Sequence, residues 1–469
     1  RCRLWRGALA VCLAGALIGA CAAMGADMLA WSDPIAALAR SQQRNATVEL
    51  VITSPAIVSE RRDYDCRVDA TAREAVKSGR VLPSSSRIRV YASSCADLYR
   101  GARLRMDGAL RVADYGAVPI WFFAEEHASV VRAPSPMTAM VNRMHQAFFS
   151  VTAQLSEQGR VLVPGLTLGV LGQDHPSERA DDRINDTYAA TLEQRFRRSG
   201  IMHLMAVSGG HFMLITDMVR RMMKRMVVDH RGTACAVALA AMALAAVMFP
   251  SDSVVRALVM CVIGAVGQAL GRPTQSMSLL CWTVIVTLIF SPRMSESFGF
   301  ALSCAAVAGI VALARPLSRG LMQVLPSTIA DIMGVTIAAQ LFAMPIQVIM
   351  ESELPLFSIP ANLLVSPVVG FATLAGLCAL GVAWVLPQLA LLCARVASCG
   401  TLVMERTVMW LGESDAAVVT WSGGVQGALI MATVELICGA ALVCSIRLIL
   451  GRNELPGHWM GFVWRMRVG

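Results

Sequence analysis

From Thr233 to the C-terminus the chain returns repeatedly to apolar stretches of about 17 to 25 residues, and one more runs from Gly7 to Ala30. Such a stretch crosses hydrocarbon as a helix, because a helix satisfies its own backbone N–H and C=O groups where there is no water. Composition agrees: 56% of the 469 residues are hydrophobic and 16% are charged, a balance unlike that of soluble domains. We therefore expect a polytopic α-helical membrane protein with about ten transmembrane helices, some of them broken or re-entrant.

The segment 42–135 departs from this pattern. "ATVELVIT", "YDCRVDATA", "SRIRVYA", "ARLRMDGALRV" and "PIWFFAE" alternate with period two and are separated by turn residues. Five or six short strands in about 90 residues predict a small closed barrel of the OB type. No aromatic stripe stands out, so nucleic-acid contact by this domain is not read from its strands. Its two cysteines, Cys66 and Cys95, are disulfide candidates if the domain faces an oxidising compartment. The other cysteines are scattered and form no CxxC pair, so no metal or cofactor site is expected. The net charge of +9 comes almost wholly from arginine, since Lys77 and Lys224 are the only lysines. Arginine suits phosphate contacts, although an alanine- and arginine-rich chain also follows from genome composition.

The region 136–200 should lie at the membrane surface. Met137, Met140, Val141, Met144, Phe148, Val151 and Leu155 recur at helical spacing, and "VLVPGLTLGVLG" is too short to span and is interrupted by Pro164 and Gly165, as in a re-entrant segment. Asp181 and Asp182 open a further helix that ends on Arg195, Arg197 and Arg198 before Gly200. If 1–31 is an anchor with its arginines inside, taking His203–Val219 as the second crossing places the basic loops in the cytoplasm and the acidic loops outside. The barrel is then extracytoplasmic, 201–451 forms the transmembrane domain and 452–469 is a basic cytoplasmic tail. The Gly7–Ala30 segment also resembles a signal peptide around "LIGAC", and a chain that opens on Arg1 is expected to have residues upstream.

One crossing carries more than lipid demands. In "HLMAVSGGHFMLI", Ser208, Gly209 and Gly210 should unwind a helix between His203 and His211, with a new half-helix starting near His211. Its positive end would favour an anion in a cavity. Against this stands simple packing, with glycines in close contact and each histidine bonded to a neighbouring carbonyl. Arg256, about one turn inside its helix, can line an external vestibule. Gln340 and Gln347 flank a kink at Pro345, and Asn362 lies between Pro360 and Pro367; such groups either line a pore or join helices. Three functions fit: a channel, a secondary transporter for a small anion, and an intramembrane hydrolase built on Ser208 and His211.

Taken in order, "LVPGLTLG", "FRRSGIMHLMAVSGGHFMLI", "SVVRALVM" with "LGRP", "SFGFALSCAAVAGIVAL", and "AAQLFAMPIQVIM" with "ANLLVSPVV" resemble the motifs of the competence domain of the ComEC family, the DNA-uptake channels of transformable bacteria. The resemblance runs from about Leu162 to Leu450, and the barrel resembles that family's extracytoplasmic OB domain. It implies a pore in the bacterial inner membrane passing single-stranded DNA, lined at His203, Ser208, Gly209, Gly210, His211, Arg256, Arg272, Ser303, Gln340, Pro345 and Asn362. It also implies an external DNA receptor and a cytoplasmic DNA-translocating ATPase as partners, with a homo-oligomer left open. Gly210 stands where the family usually has leucine, and Ala301 where it has glutamine. No HxHxDH motif occurs, so degradation of the second strand is not expected of this sequence. Neither does a phosphate-binding GxxxxGK[ST] loop.

Overall fold

The computed structural model describes residues 20–449, apart from 22, 26, 42–44, 78–79, 96, 115–117, 126–127, 177–183 and 273–274. Most of the expected anchor, the Asp181–Asp182 helix start and the tail 452–469 lie outside the described residues.

Alternation in the polar segment becomes a barrel. A short helix α1 (Pro34–Arg40) precedes strands β1 (Asn45–Ile52), β2 (Ile57–Val58), β3 (Cys66–Lys77), β4 (Arg80–Pro83), β5 (Arg87–Ala92), β6 (Arg103–Val112), β7 (Ile120–Ala124) and β8 (Ser129–Arg132). Five strands run in the order β1-β3-β5-β7-β6, and β6 pairs back onto β1 to close the ring. Among the described residues only β5 and β7 pair in parallel, with Val90 opposite Phe122 and Tyr91 opposite Phe123. This is the closed five-stranded Greek-key order of an OB-like barrel. Val48, Leu50, Ile52, Val68, Ile88, Leu104, Leu110 and Phe122 fill its interior, and each buried side chain of this size contributes about 1.5 to 3 kcal/mol. Cys66 and Cys95 are joined in a disulfide with Cα atoms 5.6 Å apart.

The rest is helical: α2 (Pro136–Thr152), α3 (Glu157–Leu168), α4 (Asp186–Arg198), α5 (Gly209–Arg225), α6 (His230–Val247), α7 (Asp252–Ala269), α8 (Ser276–Phe290), α9 (Phe298–Leu321, with a π-turn at Ile310–Ala314), α10 (Ser327–Met350), α11 (Ser358–Val382), α12 (Pro387–Gly412) and α13 (Gly424–Ile449). Among the described residues, six helices, α6, α7 and α9 to α12, are long and apolar enough to cross a membrane, and α8 and Gly424–Gly439 of α13 are shorter apolar helices. The protein is thus a helical membrane protein carrying a small barrel. About ten crossings were expected. The difference arises partly at α5, whose 17 residues include Asp217, Arg220, Arg221, Lys224 and Arg225, and partly at Gly7–Ala30, which is mostly undescribed.

Small residues set the helix spacing. At Gly309 in α9 a Cβ would lie 2.1 Å from the Ala338 carbonyl of α10, so only glycine lets these backbones approach. The barrel rests on one end of the bundle: Asn142 of α2 donates to the Arg100 carbonyl at 3.0 Å, and Arg100 donates to the Ala246 carbonyl of α6 at 3.2 Å. Two short segments between helices pair as antiparallel strands β9 (Glu353–Pro355) and β10 (Val418–Thr420).

Candidate functional site

The stretch expected as an interrupted crossing is not a helix split in two. Met202–Met205 forms a single 3-10 turn, Ala206 and Val207 are irregular, and α5 begins at Gly209 rather than at His211. The reason is the cap. Ser208 is extended (φ −115°, ψ 172°), and its Oγ accepts the Gly210 N–H at 3.2 Å. In return the Ser208 N–H donates to His211 Nδ1 at 3.3 Å. This capping box satisfies orphan donors that would otherwise face apolar surroundings.

Because His211 Nδ1 accepts, its proton is on Nε2, which donates at 2.7 Å to the Leu166 carbonyl. Leu166 belongs to α3, which runs through Pro164 and is buried from Gln158 to Leu168 except at the half-buried Arg160. Sequence read this segment as interrupted by Pro164 and Gly165; the helix continues because proline at that position frees only the Arg160 carbonyl. Gly172 packs so closely on that carbonyl that a Cβ there would lie 1.8 Å from its oxygen. Both His211 nitrogens therefore serve backbone groups of two helix ends, and neither is free to activate the Ser208 hydroxyl.

The first turn of α7 closes the junction. Ser253 donates to the Val207 carbonyl at 2.6 Å. Arg256 is 4% exposed, donates through Nε to Ser303 of α9 at 2.6 Å, and places Nη1 3.8 Å from Met260 Sδ. A Cβ added to Gly209 would be 3.1 Å from Arg256 Nη2, so the guanidinium lies against the N-terminal turn of α5. Arg256 forms no ion pair with a described carboxylate; the nearby Asp252 is hydrogen-bonded to Ser297, the cap of α9. A cation enclosed among helix N-termini without an anion is a site that favours one.

The expected residues thus separate into groups. Ser208, Gly209, Gly210, His211, Arg256 and Ser303 come together. Gln340 and Asn362 converge on another centre, Ser358: Gln340 donates to the Ser358 hydroxyl, and Asn362 donates to the Ser358 carbonyl at 2.9 Å. His203 belongs with this second group. It is exposed, and its Nδ1 lies 3.2 Å from the carbonyl of Gly200, where a Cβ would be 2.6 Å from Ser358 Cβ. Pro345 stands within α10. Arg272 is exposed past the far end of α7, sixteen positions from Arg256, and is not brought to either group.

Sequence reasoning passed over one cluster entirely. The barrel does carry aromatic residues on its outer side: Tyr91 stacks on Phe123 at 5.2 Å, Trp121 packs edge-on at 6.5 Å from Phe123, and Tyr64 joins at 5.4 Å. The Arg61 guanidinium covers Trp121 at 4.6 Å. The signal was Trp121-x-Phe123, two aromatics on one face, with Tyr91 supplied by a strand 30 positions earlier in the chain.

A Greek-key barrel seated on apolar helices that enclose an arginine beside a helix N-terminus defines a class, a helical membrane protein with a small barrel domain. The chain belongs to the competence protein family, whose model, described as "Competence protein", matches residues 185–446. It is also similar to ComE operon protein 3 of Bacillus subtilis (strain 168), with 26% identity over 181 residues, 39% of this chain and 23% of that protein. The matched part is thus less than a quarter of that relative's length. No solved structure matches the chain.

Proposed function

We propose that the chain is a channel of the bacterial cytoplasmic membrane that passes single-stranded DNA inward during natural transformation, with its N-terminus cytoplasmic and its barrel outside. The observation that carries this reading is the unpaired, enclosed Arg256 against the Gly209 turn. A phosphodiester is the anion that a guanidinium and helix-terminal N–H groups suit. Membership in the competence family supports DNA as the source of that anion.

Moving phosphates against a cytoplasm-negative potential costs up to about 2.3 kcal/mol per charge per 100 mV. This chain has no phosphate-binding loop of its own. A cytoplasmic DNA-translocating ATPase and an external DNA receptor are therefore the partners this reading requires.

The test is arrival of labelled DNA in the cytoplasm of cells carrying Arg256→Ala. A charge-assisted phosphate contact is worth about 1.5 to 3 kcal/mol, so uptake should fall roughly 10- to 100-fold at unchanged protein abundance. Undiminished uptake refutes the role of Arg256. Loss of transport of a small organic anion, with DNA uptake intact, points instead to the transporter.

A further inference from the structure

Helix α13 is mostly apolar, and within its described length Glu435 is the one acidic residue, with Arg447 near the far end as the other charged one. Ala428, Met431, Ala432 and Glu435 share a helical face, and Ala428 and Met431 are 8% and 6% exposed. That face packs on α10, where Met344 and Val348 cluster with Met431. Glu435 is half-buried beside it, and among the described residues its Oε1 is enclosed without a hydrogen-bond partner. Eleven positions into α13, Glu435 lies about 16 Å along the helix axis, close to half of a ~30 Å hydrocarbon layer.

Other charged groups are distant. On α10 the acidic residue is Asp331, which is exposed near its opposite end, thirteen positions from Met344. Glu351 and Glu353 lie beyond the other end of α10, and Arg447 lies three turns further along α13. Neither Asp331, Glu351 nor Glu353 is a cation, and among the described side chains none is ion-paired to Glu435. A carboxylate with one oxygen enclosed and without a described hydrogen-bond partner is costly to ionise at this depth, and the neutral acid is not.

We propose that Glu435 is a proton-binding site within the helical bundle, held as the neutral acid at neutral pH and exchanging its proton as α13 moves on α10. The proposal does not depend on what passes through the protein. It is tested with dicyclohexylcarbodiimide, a lipid-soluble reagent that takes only protonated carboxyls. The acid O–H adds across one C=N bond of the carbodiimide, and acyl migration to nitrogen leaves a stable N-acylurea with no further reactant.

The full-length protein in liposomes is treated between pH 5 and pH 9 and the adduct located by mass spectrometry. An ordinary glutamate is protonated in only about one molecule in 500 at pH 7. Glu435 is expected to be modified at pH 7 at least about tenfold more than Asp331, Glu351 or Glu353, in line with the protonated fraction that desolvation preserves, and to lose reactivity only at higher pH. Glu435→Gln should abolish that adduct alone. Modification of Glu435 that disappears by pH 6, or no adduct in the folded protein while the detergent-unfolded chain is labelled there at pH 5, overturns the proposal.

Discussion

His211 Nε2 lies 2.7 Å from the carbonyl oxygen of Leu166, 45 positions earlier, so one ring joins the start of α5 to the end of α3. Replacing it leaves the Leu166 carbonyl and the Ser208 N–H without their partners. Each buried orphan costs about 1 to 3 kcal/mol. His211→Ala should therefore lower thermal stability, measured in detergent, by more than His211→Gln, which keeps a donor. Equal melting temperatures for both variants and the parent contradict the junction.

Adjacent glycines should behave differently. A side chain at Gly209 meets Arg256 Nη2, whereas at Gly210, which is exposed, it meets only Ser208 Oγ at 3.3 Å. Gly210→Leu should fold and retain DNA uptake, in keeping with the leucine that the family resemblance places there. Gly209→Leu should displace the guanidinium and reduce uptake about tenfold or more, the loss expected of one charge-assisted hydrogen bond. Parallel uptake assays at matched abundance decide it.

At Gly309 the nearest obstacle to a Cβ is backbone, the Ala338 carbonyl at 2.1 Å. Gly309→Ala must separate α9 from α10, which costs about 1 to 3 kcal/mol. Gly264→Ala, whose Cβ meets only Leu279 Cδ2 at 3.6 Å, is the control and should change unfolding by less than about 0.5 kcal/mol.

A cleft of about 1430 Å³ between the barrel and the surface helices is lined in part by His145 and His175. His145 stacks on Phe249 and bonds the Val247 carbonyl at 2.7 Å, and His175 stacks on Phe149 at 3.6 Å. Burial, aided by mutual repulsion at His175 and by Arg100 at His145, brings both from 6.5 down to about 4. Burial, together with Glu193, raises Asp174 from 3.8 to about 6. Each histidine's contribution is complete above 6.5 and is lost as pH falls through 6.5 toward 4; Asp174 has the opposite sign between 3.8 and 6. Two imidazoles against one carboxyl leave the unfolded chain with more bound protons. Stability should therefore fall as pH drops from 6.5 to 4, and His175→Phe should flatten the profile. A profile that is level or rises on acidification contradicts this.

Much of this architecture was readable from periodicity, because a barrel strand declares itself every second residue and a membrane helix by unbroken apolar length. "SRIRVYA" and "PIWFFAE" gave strands correctly, yet the parallel pairing that brings Tyr91 to Phe123 is a long-range event that no local pattern carries. Ser208 was visible as a break in the apolar run, but its role as a cap depends on His211 turning back to it. Leu166 offers only a backbone carbonyl, which has no signature in sequence. Arg256 was legible as a cation in an apolar helix; that Asp252, one turn before it, is hydrogen-bonded to Ser297 is a contact 45 positions apart that no local pattern carries.

Photo-cross-linking of a strand in transit tests the central claim most directly. A benzophenone side chain is placed at Ser303, beside Arg256, and separately at Trp282, which is 56% exposed on the outside of α8. In cells taking up labelled DNA, the account predicts a DNA adduct from position 303 and none from position 282. Continued uptake with no adduct at 303, or equal adducts at both positions, would contradict it.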